Sequence, residues 1–399
     1  MYAKIAYASH ASGRGGAELF LRDILLYSDI QKKNWNGVFF VDGPIVHDIN
    51  GAGGCAIVHK AGENALAIKR GSGPINILMA VKDIISLAFT LRRSFSGYDL
   101  ICANTQKALF IGGIAARLAG KPFIWILHDI ITDGSFSRLN RSAAVFFANA
   151  LTSKVIVNSE ASKKAFIEAG GKPDIAETVY NGFSFKQNPL ADNFRHKRHA
   201  LFAELSLQDL PTMGMFGRLS EWKGQHILIE AISRIDNVQA LIVGDTSYES
   251  ADYERRIRAL VEGLGLEARV KFLGFRTDIA ELMDVSDAVI HASTQPEPFG
   301  RVIVEGMARA RPVVATSGGG VNEIVVHEET GLLVEAGDVE QLRAAIADLV
   351  QDPAKADRLA RNGYQYVRER FDLKQTTASL LGIYDSVLQK TKRTQAAPG

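Results

Sequence analysis

The sequence predicts an α/β protein built as two doubly wound, Rossmann-like domains facing a central cleft. Short apolar runs ending in Gly, Ser or Asp alternate with stretches of helical spacing along nearly the whole chain, the pattern of parallel sheets covered on both faces. That alternation pauses once, over a polar and basic stretch at residues 185–211. The length of 399 residues exceeds what one ordinary core holds, so two domains of roughly 150 to 200 residues each are expected.

Taken in order, residues 2–8 (YAKIAYA) read as a strand, SGRGGAE as a Gly-rich turn and LFLRDILLYS as a helix. Further strands are expected at 38–43 (VFFVDG), 98–105, 122–129 (PFIWILHD) and 154–159 (KVIVNS), with helices at 77–95, 107–119, 141–151 and 160–170. The loops at 43–76 carry no motif. The stretch 185–211 holds two prolines and the basic run FRHKRH, and reads as a solvated crossing between domains. From residue 212 six runs follow (TMGMFGRL, QALIVGD, RVKFLGF, DAVIHAS, RPVVATS and TGLLVE), spaced by helical segments, and they predict a second parallel sheet. A closing helix over FDLKQTTASLLGIYDSVLQK precedes a tail expected to fray. The resulting division is 1–184, a linker at 185–211, 212–372, and a C-terminal helix and tail at 373–399 that is expected to pack back toward the first domain.

Composition narrows the function. A formal net charge of +2 is too mild for nucleic-acid binding. Two cysteines, Cys55 and Cys102, make neither a disulfide framework nor metal-ligand spacing, which points to a reducing cytosol. The opening MYAKIAYASH lacks the apolar core of a signal peptide, so the protein is expected inside the cell. The stretch INILMAVKDIISLAFTLRRSF is broken as a membrane span by Lys82 and Asp83. Its apolar residues Ile77, Val81, Ile84, Ile85, Ala88 and Leu91 recur at helical spacing and end in Arg92 and Arg93. They read first as the buried face of a domain helix and second as a peripheral membrane contact.

The stretch QPEPFGRVIVEGMARARPVV, residues 295–314, sets Glu297 before a Phe-Gly turn and Glu305 eight positions on, with Gly300 opening a helix between them. A helix N-terminus attracts anions through free N–H groups and the positive end of its dipole. The segment GRLSEWKG places Arg218 and Lys223 in one loop after the first strand of the second domain, where a planar fork and a point charge could hold a diphosphate. His128 and Asp129 end a strand of the first domain at its carboxyl edge, and SGGGVNE at 317–323 is a further Gly-rich loop. A nucleoside diphosphate sugar suits this set, because its charge lies in the middle and its hydroxyl-rich rings suit carboxylate acceptors at the two ends. Against it stand a surface helix with incidental glutamates and a catalytically idle sugar-nucleotide-binding protein. A NAD-dependent oxidoreductase is the other rival, with SGRGGAE and Asp42 holding NAD on the first domain.

With those residues in hand, the chain resembles the retaining GT-B glycosyltransferases of glycosyltransferase family 4 along essentially its whole length. The resemblance rests on GGAE at 15–18, His128-Asp129, NS at 158–159, NG at 181–182, GR with KG at 217–224, LG at 273–274, EPFG at 297–300 and GLLV at 331–334. The E-x7-E element from Glu297 to Glu305 is the most specific of these. It implies that Gly15 and Gly16 approach the diphosphate and acceptor side, and that His128 contacts the transferred sugar. By the same resemblance Arg218 and Lys223 neutralise the leaving diphosphate, and Glu297 holds sugar hydroxyls. The backbone around Phe299, Gly300, Arg301 and Val302 would meet the phosphates, Glu305 the ribose, and the segment from Phe272 to Arg276 the base. It also implies a UDP- or GDP-sugar donor, no metal or other cofactor, and an acceptor chosen by the first domain, either a glycan or one linked to a polyprenyl diphosphate. Relatives of this kind build bacterial cell-surface polysaccharides at the cytoplasmic membrane face. The chain departs from the family in EGMA, where EAMA is common, and in Gly244-Asp245-Thr246, where G-D-G is common.

Overall fold

The computed structural model describes residues 3–31, 33–62, 74–132, 138–185, 195–246 and 251–396. The chain gathers into two compact units, Met1–Phe183 with Leu373–Gly399, and Ser184–Asp372.

The first unit holds seven parallel strands: β1 (Ile5–Ser9), β2 (Trp35–Phe39), β3 (Ala56–Val58), β4 (Leu100–Ala103), β5 (Phe123–Leu127), β6 (Lys154–Val157) and β7 (Ala176–Thr178). Their order is β3-β2-β1-β4-β5-β6-β7. Helices α1 (Gly16–Ile30), α2 (Pro44–Gly51), α3 (Pro74–Phe95), α4 (Gln106–Leu118), α5 (Arg138–Leu151) and α6 (Glu160–Glu168) connect them. The central strands β1, β4 and β5 are buried at every residue, so they read as continuous apolar runs. The strand expected at 38–43 begins earlier, at Trp35, whose ring packs against Tyr7 at 5.7 Å. The edge strands β3 and β7 and the helix α2 fall where no element was expected. On α3, Leu87, Ala88 and Leu91 are buried, but Ile85, read as part of the buried face, is 51% exposed. Ile77 and Val81 lie outside the described side chains, as does the FRHKRH cluster.

The second unit holds β8 (Thr212–Phe216), β9 (Gln239–Val243), β10 (Val270–Gly274), β11 (Ala288–His291), β12 (Val313–Thr316) and β13 (Leu332–Val334) in the order β10-β9-β8-β11-β12-β13, again all parallel. Helix α7 (Arg195–Glu204) precedes β8. Helices α8 (Gln225–Ser233), α9 (Ala251–Gly263), α10 (Ile279–Val285), α11 (Arg301–Ala308), α12 (Val321–Ile324), α13 (Val339–Gln351) and α14 (Pro353–Arg370) follow. In each sheet the order reverses beside the first strand of the unit, between β1 and β4 and between β8 and β11. Ligands of open α/β sheets bind beyond the strands' carboxyl ends at such a switch point.

The last helix, α15 (Leu373–Ala396), belongs to the first unit. Leu380, Tyr384 and Val387 join its core, Tyr384 shares a 2.9 Å hydrogen bond with the Tyr7 hydroxyl, and Leu373 donates its N–H to Phe183. Among the described residues no helix is long and apolar enough to cross a membrane.

Candidate functional site

In the second unit the loops leaving β8 and β11 meet at the switch point. The β8 loop runs through a short 3-10 turn, Glu221–Lys223, and its backbone is pinned to the β11 loop where Thr294 N–H donates to Trp222 O at 2.7 Å. The pin delivers Lys223 to Glu297, with Nζ 2.7 Å from Oε2. The Lys223 ammonium also lies 4.1 Å from the Trp222 ring centroid. The same Oε2 accepts from Ser293 Oγ at 3.1 Å and stands 3.2 Å from His291 Nε2. Among the described residues Glu297 Oε1 takes no hydrogen bond, so one oxygen is saturated and the other is available.

The electrostatics follow from that pairing. Burial pushes the Glu297 carboxyl up, but the Lys223 charge and the His291 hydrogen bond together outweigh it and bring the carboxyl down to about 2. Glu297 is therefore ionised at neutral pH despite a side chain only 13% exposed.

The backbone of this loop is held by the SGGGVNE segment. Gly320 N–H donates to Glu297 O at 2.8 Å, and Gly319 adopts φ +63° where a Cβ would strike that same carbonyl. Glycine is needed here because the chains touch backbone to backbone. Gly300, at φ 101°, then caps α11 with no side-chain hydrogen bond, at the end of the helix where the dipole is positive. Phe299 is buried against the ring of Phe371 at 5.5 Å, so its backbone rather than its side chain faces the site. Val302 occupies the first turn, and Arg301 pairs with Glu305 at 3.3 Å one turn on. Arg218 is exposed, with no carboxylate partner among the described residues.

Phe272 is placed differently. Its ring lies under the Arg258 guanidinium at 4.5 Å and packs on the core, so only backbone around β10 remains for a base. Arg276 is engaged by Asp278 through bonds of 2.8 and 2.6 Å.

In the first unit, Asn104 at the end of β4 joins two of the motifs. Its Nδ2 donates to Ala17 O at 3.0 Å, which anchors the start of α1 at Gly15 and Gly16. Its Oδ1 therefore faces His128, whose Nε2–H donates to it at 2.9 Å. That bond places a proton on Nε2, since the amide oxygen can only accept. Phe20 packs edge-on against the imidazole at 5.2 Å. His10, at the end of β1, lies 2.7 Å from Thr105 Oγ1 and is lowered to about 4 by burial and the nearby Lys107 charge. Asp42, the acid a dinucleotide reading would place on a ribose, instead accepts its own neighbour's N–H, from Gly43 at 2.9 Å.

Sequence reasoning missed His291, Ser293, Thr316 and Asn104. His291, Ser293 and Thr316 are linked: Ser293 Oγ is 3.0 Å from His291 Nε2, and Thr316 Oγ1 is 3.4 Å from Nδ1. The signal available was a histidine and a serine interrupting the apolar run DAVIHAS at a strand end.

Comparison with known proteins agrees with this fold. Models of "Glycosyl transferases group 1" and "Glycosyltransferase Family 4" match residues 196–366 and 58–187. The crystal structure of Anabaena Alr3699/HepE in complex with UDP is 37% identical, with a TM-score of 0.83, covering 96% of this chain and 100% of that one. The lipopolysaccharide core biosynthesis glycosyltransferase LpsD of Rhizobium meliloti (strain 1021) is 33% identical over 174 residues, 44% of this chain and 49% of that protein. The capsular polysaccharide biosynthesis glycosyltransferase CapM of Staphylococcus aureus is 26% identical over 322 residues, 73% and 78% of the two chains. The chain spans about half the length of the lipopolysaccharide-core relatives it matches. Two Rossmann-like α/β units of this kind define a GT-B protein. The chain belongs to the family 4 glycosyltransferases of that fold.

Proposed function

We propose that this protein is a retaining glycosyltransferase that moves a hexosyl unit from a UDP-sugar to a glycan or polyprenyl-diphosphate-linked glycan. Its place would be cell-surface polysaccharide synthesis at the cytoplasmic face of the membrane. The observation that carries the reading is Glu297: a buried, ionised carboxylate with one oxygen saturated and the other available, set beside the uncapped N-terminus of α11. The choice of UDP over GDP draws on the Anabaena relative, which has been crystallised with UDP and with UDP-glucose at 36–37% identity.

In this reading the donor's diphosphate takes the N–H groups from Gly300 to Val302 at the positive end of the α11 dipole and the cations of Arg218 and Lys223. The Lys223 ammonium keeps two N–H donors after its bond to Glu297. Glu297 Oε1 accepts a sugar hydroxyl and Glu305 the ribose hydroxyls. The bond from the anomeric carbon to the diphosphate oxygen breaks while the acceptor oxygen bonds to the same face, and the acceptor's proton passes to the departing phosphate oxygen. Fixed positive groups on that phosphate stabilise charge where it develops, so no catalytic metal is invoked. Gly15, Gly16 and His128 serve the acceptor and the transferred sugar.

The test is transfer from UDP-glucose and UDP-galactose to lipid-linked acceptors extracted from bacterial membranes, with the anomeric configuration of the product read by NMR. Retention, with turnover unchanged by EDTA, is expected. An inverted product or loss of turnover on chelation would overturn those parts of the proposal.

A further inference from the structure

We infer that His291, at the end of β11, is a positioning residue for the donor sugar: together with Ser293 it fixes Glu297 so that one carboxylate oxygen is turned to the transferred ring. The inference rests on the reading of Glu297 as the group that accepts a sugar hydroxyl, and it assigns the residue that orients that group.

His291 sits among apolar neighbours. β11 is buried at every residue, and His291 itself is 3% exposed beside Val289 and Ile290. A buried imidazole costs free energy unless its nitrogens find partners. Here Nε2 lies 3.2 Å from Glu297 Oε2 and 3.0 Å from Ser293 Oγ, and Nδ1 lies 3.4 Å from Thr316 Oγ1. The Thr316 hydroxyl in turn donates to Ser293 O at 2.8 Å, which ties the end of β12 to the loop that carries Glu297.

A core histidine that only satisfied its own nitrogens would be served by Ser293 and Thr316, yet this one also reaches the carboxylate. Glu297 titrates at about 2, so at neutral pH its oxygens only accept. The 3.2 Å contact is then a hydrogen bond with the proton on Nε2. Lys223 Nζ at 2.7 Å, Ser293 Oγ at 3.1 Å and His291 Nε2 all meet the same oxygen, Oε2. The terminal torsion of a glutamate is broad and two-fold, so a single ion pair leaves the carboxylate free to turn. Three donors on one oxygen remove that freedom and hold Oε1 in one orientation. Lys223 alone neutralises the charge; His291 and Ser293 add direction.

Three variants test this. His291→Leu removes the donor with an apolar side chain suited to the strand, and His291→Gln returns an N–H near the Nε2 position. Ser293→Ala loosens the same oxygen by a second route, should the leucine disturb folding in thermal melts. With whichever of UDP-glucose and UDP-galactose the parent turns over, His291→Leu should lower kcat/KM by about 10- to 100-fold. His291→Gln should recover most of that loss, Ser293→Ala should show part of it, and calorimetric UDP affinity should stay at the parent's value in all three. Because His291 acts through Glu297, His291→Leu should cost little further in a Glu297→Gln background. Nitrogen NMR of the histidine rings, with the His291 signals identified by their loss in His291→Gln, should show a protonated Nε2.

An unprotonated Nε2, full turnover by His291→Leu beside a disabled Glu297→Gln, or an equal loss in both backgrounds would overturn the inference and leave the donor site standing. A fall in UDP affinity matching the fall in kcat/KM would also overturn it, since His291 would then support the fold of the site as a whole. Full turnover by Glu297→Gln would remove the sugar-binding reading of Glu297 and this inference with it.

Discussion

Lys223 and Glu297 stand 74 positions apart in the chain, and their side chains meet at 2.7 Å in a mostly buried ion pair. One comes from the loop after β8, the other from the loop after β11, so the pair closes the switch point of the second sheet. Removing one partner of a buried pair leaves the other charge uncompensated and typically costs about 3–5 kcal/mol. Lys223→Ala is therefore expected to lose about 3 kcal/mol of stability at neutral pH, measured by urea denaturation.

The same pair sets an acid limb. Glu297 titrates at about 2 in the folded protein, against an ordinary value of 4.5. Because the folded value is depressed, the stabilisation is complete above the unfolded pKa and is lost as pH falls from about 4.5 toward 2. Its size is on the order of 3 kcal/mol. Lys223→Ala should move that loss to higher pH, since it removes the charge that holds the carboxyl down. Superimposable stability curves for parent and variant between pH 2 and 7 would count against the pairing.

Arg218 has no folding role to lose, being exposed without a carboxylate partner among the described residues. Arg218→Ala should leave stability within about 0.5 kcal/mol of the parent while weakening UDP affinity by about 1.5–3 kcal/mol. Glu305→Ala should weaken UDP by a similar amount; unchanged affinity in a folded variant would remove the ribose assignment.

His128 is held by Asn104, and Asn104 by the start of α1. His128→Ala should lower turnover by about 10- to 100-fold with UDP affinity nearly constant. Asn104→Ala should reproduce part of that loss, because it frees the imidazole from its fixed orientation. A matching fall in UDP affinity and no change in turnover would assign His128 to nucleotide binding instead.

Gly306 stands where relatives often carry alanine, and packing in this chain accounts for it. A Cβ there would lie 2.9 Å from Val289 Cγ2 and 3.0 Å from Val289 Cβ, where α11 presses on β11. Helix propensity favours alanine by up to about 1 kcal/mol, but overpacking costs about 1–3 kcal/mol. Gly306→Ala should therefore destabilise modestly, and combining it with Val289→Ala should cost less than the sum of the two single changes.

The second sheet was fully legible in the sequence, because its six strands are short apolar runs that end in turn residues. The strands β3 and β7 were not: each has three residues, and Ile57 in β3 is 38% exposed, so neither presents a continuous buried run. The helix face at 77–93 was half legible. Spacing alone could not show that Ile85 points outward while Leu87, Ala88 and Leu91 point in. Glu297, Glu305 and the Gly300 turn were readable from their spacing, whereas His291 and Ser293 were hidden inside a strand that looked like core. A polar residue at a buried strand end has meaning only once the carboxylate it serves has been located.

The most direct test is calorimetric titration of the purified protein with UDP, GDP, ADP and NAD side by side, without added metal. UDP should bind in preference to the others, and Glu305→Ala should weaken it. Binding of NAD alone, with no nucleoside diphosphate bound, would contradict the donor site at Glu297 and move the nucleotide to the first unit.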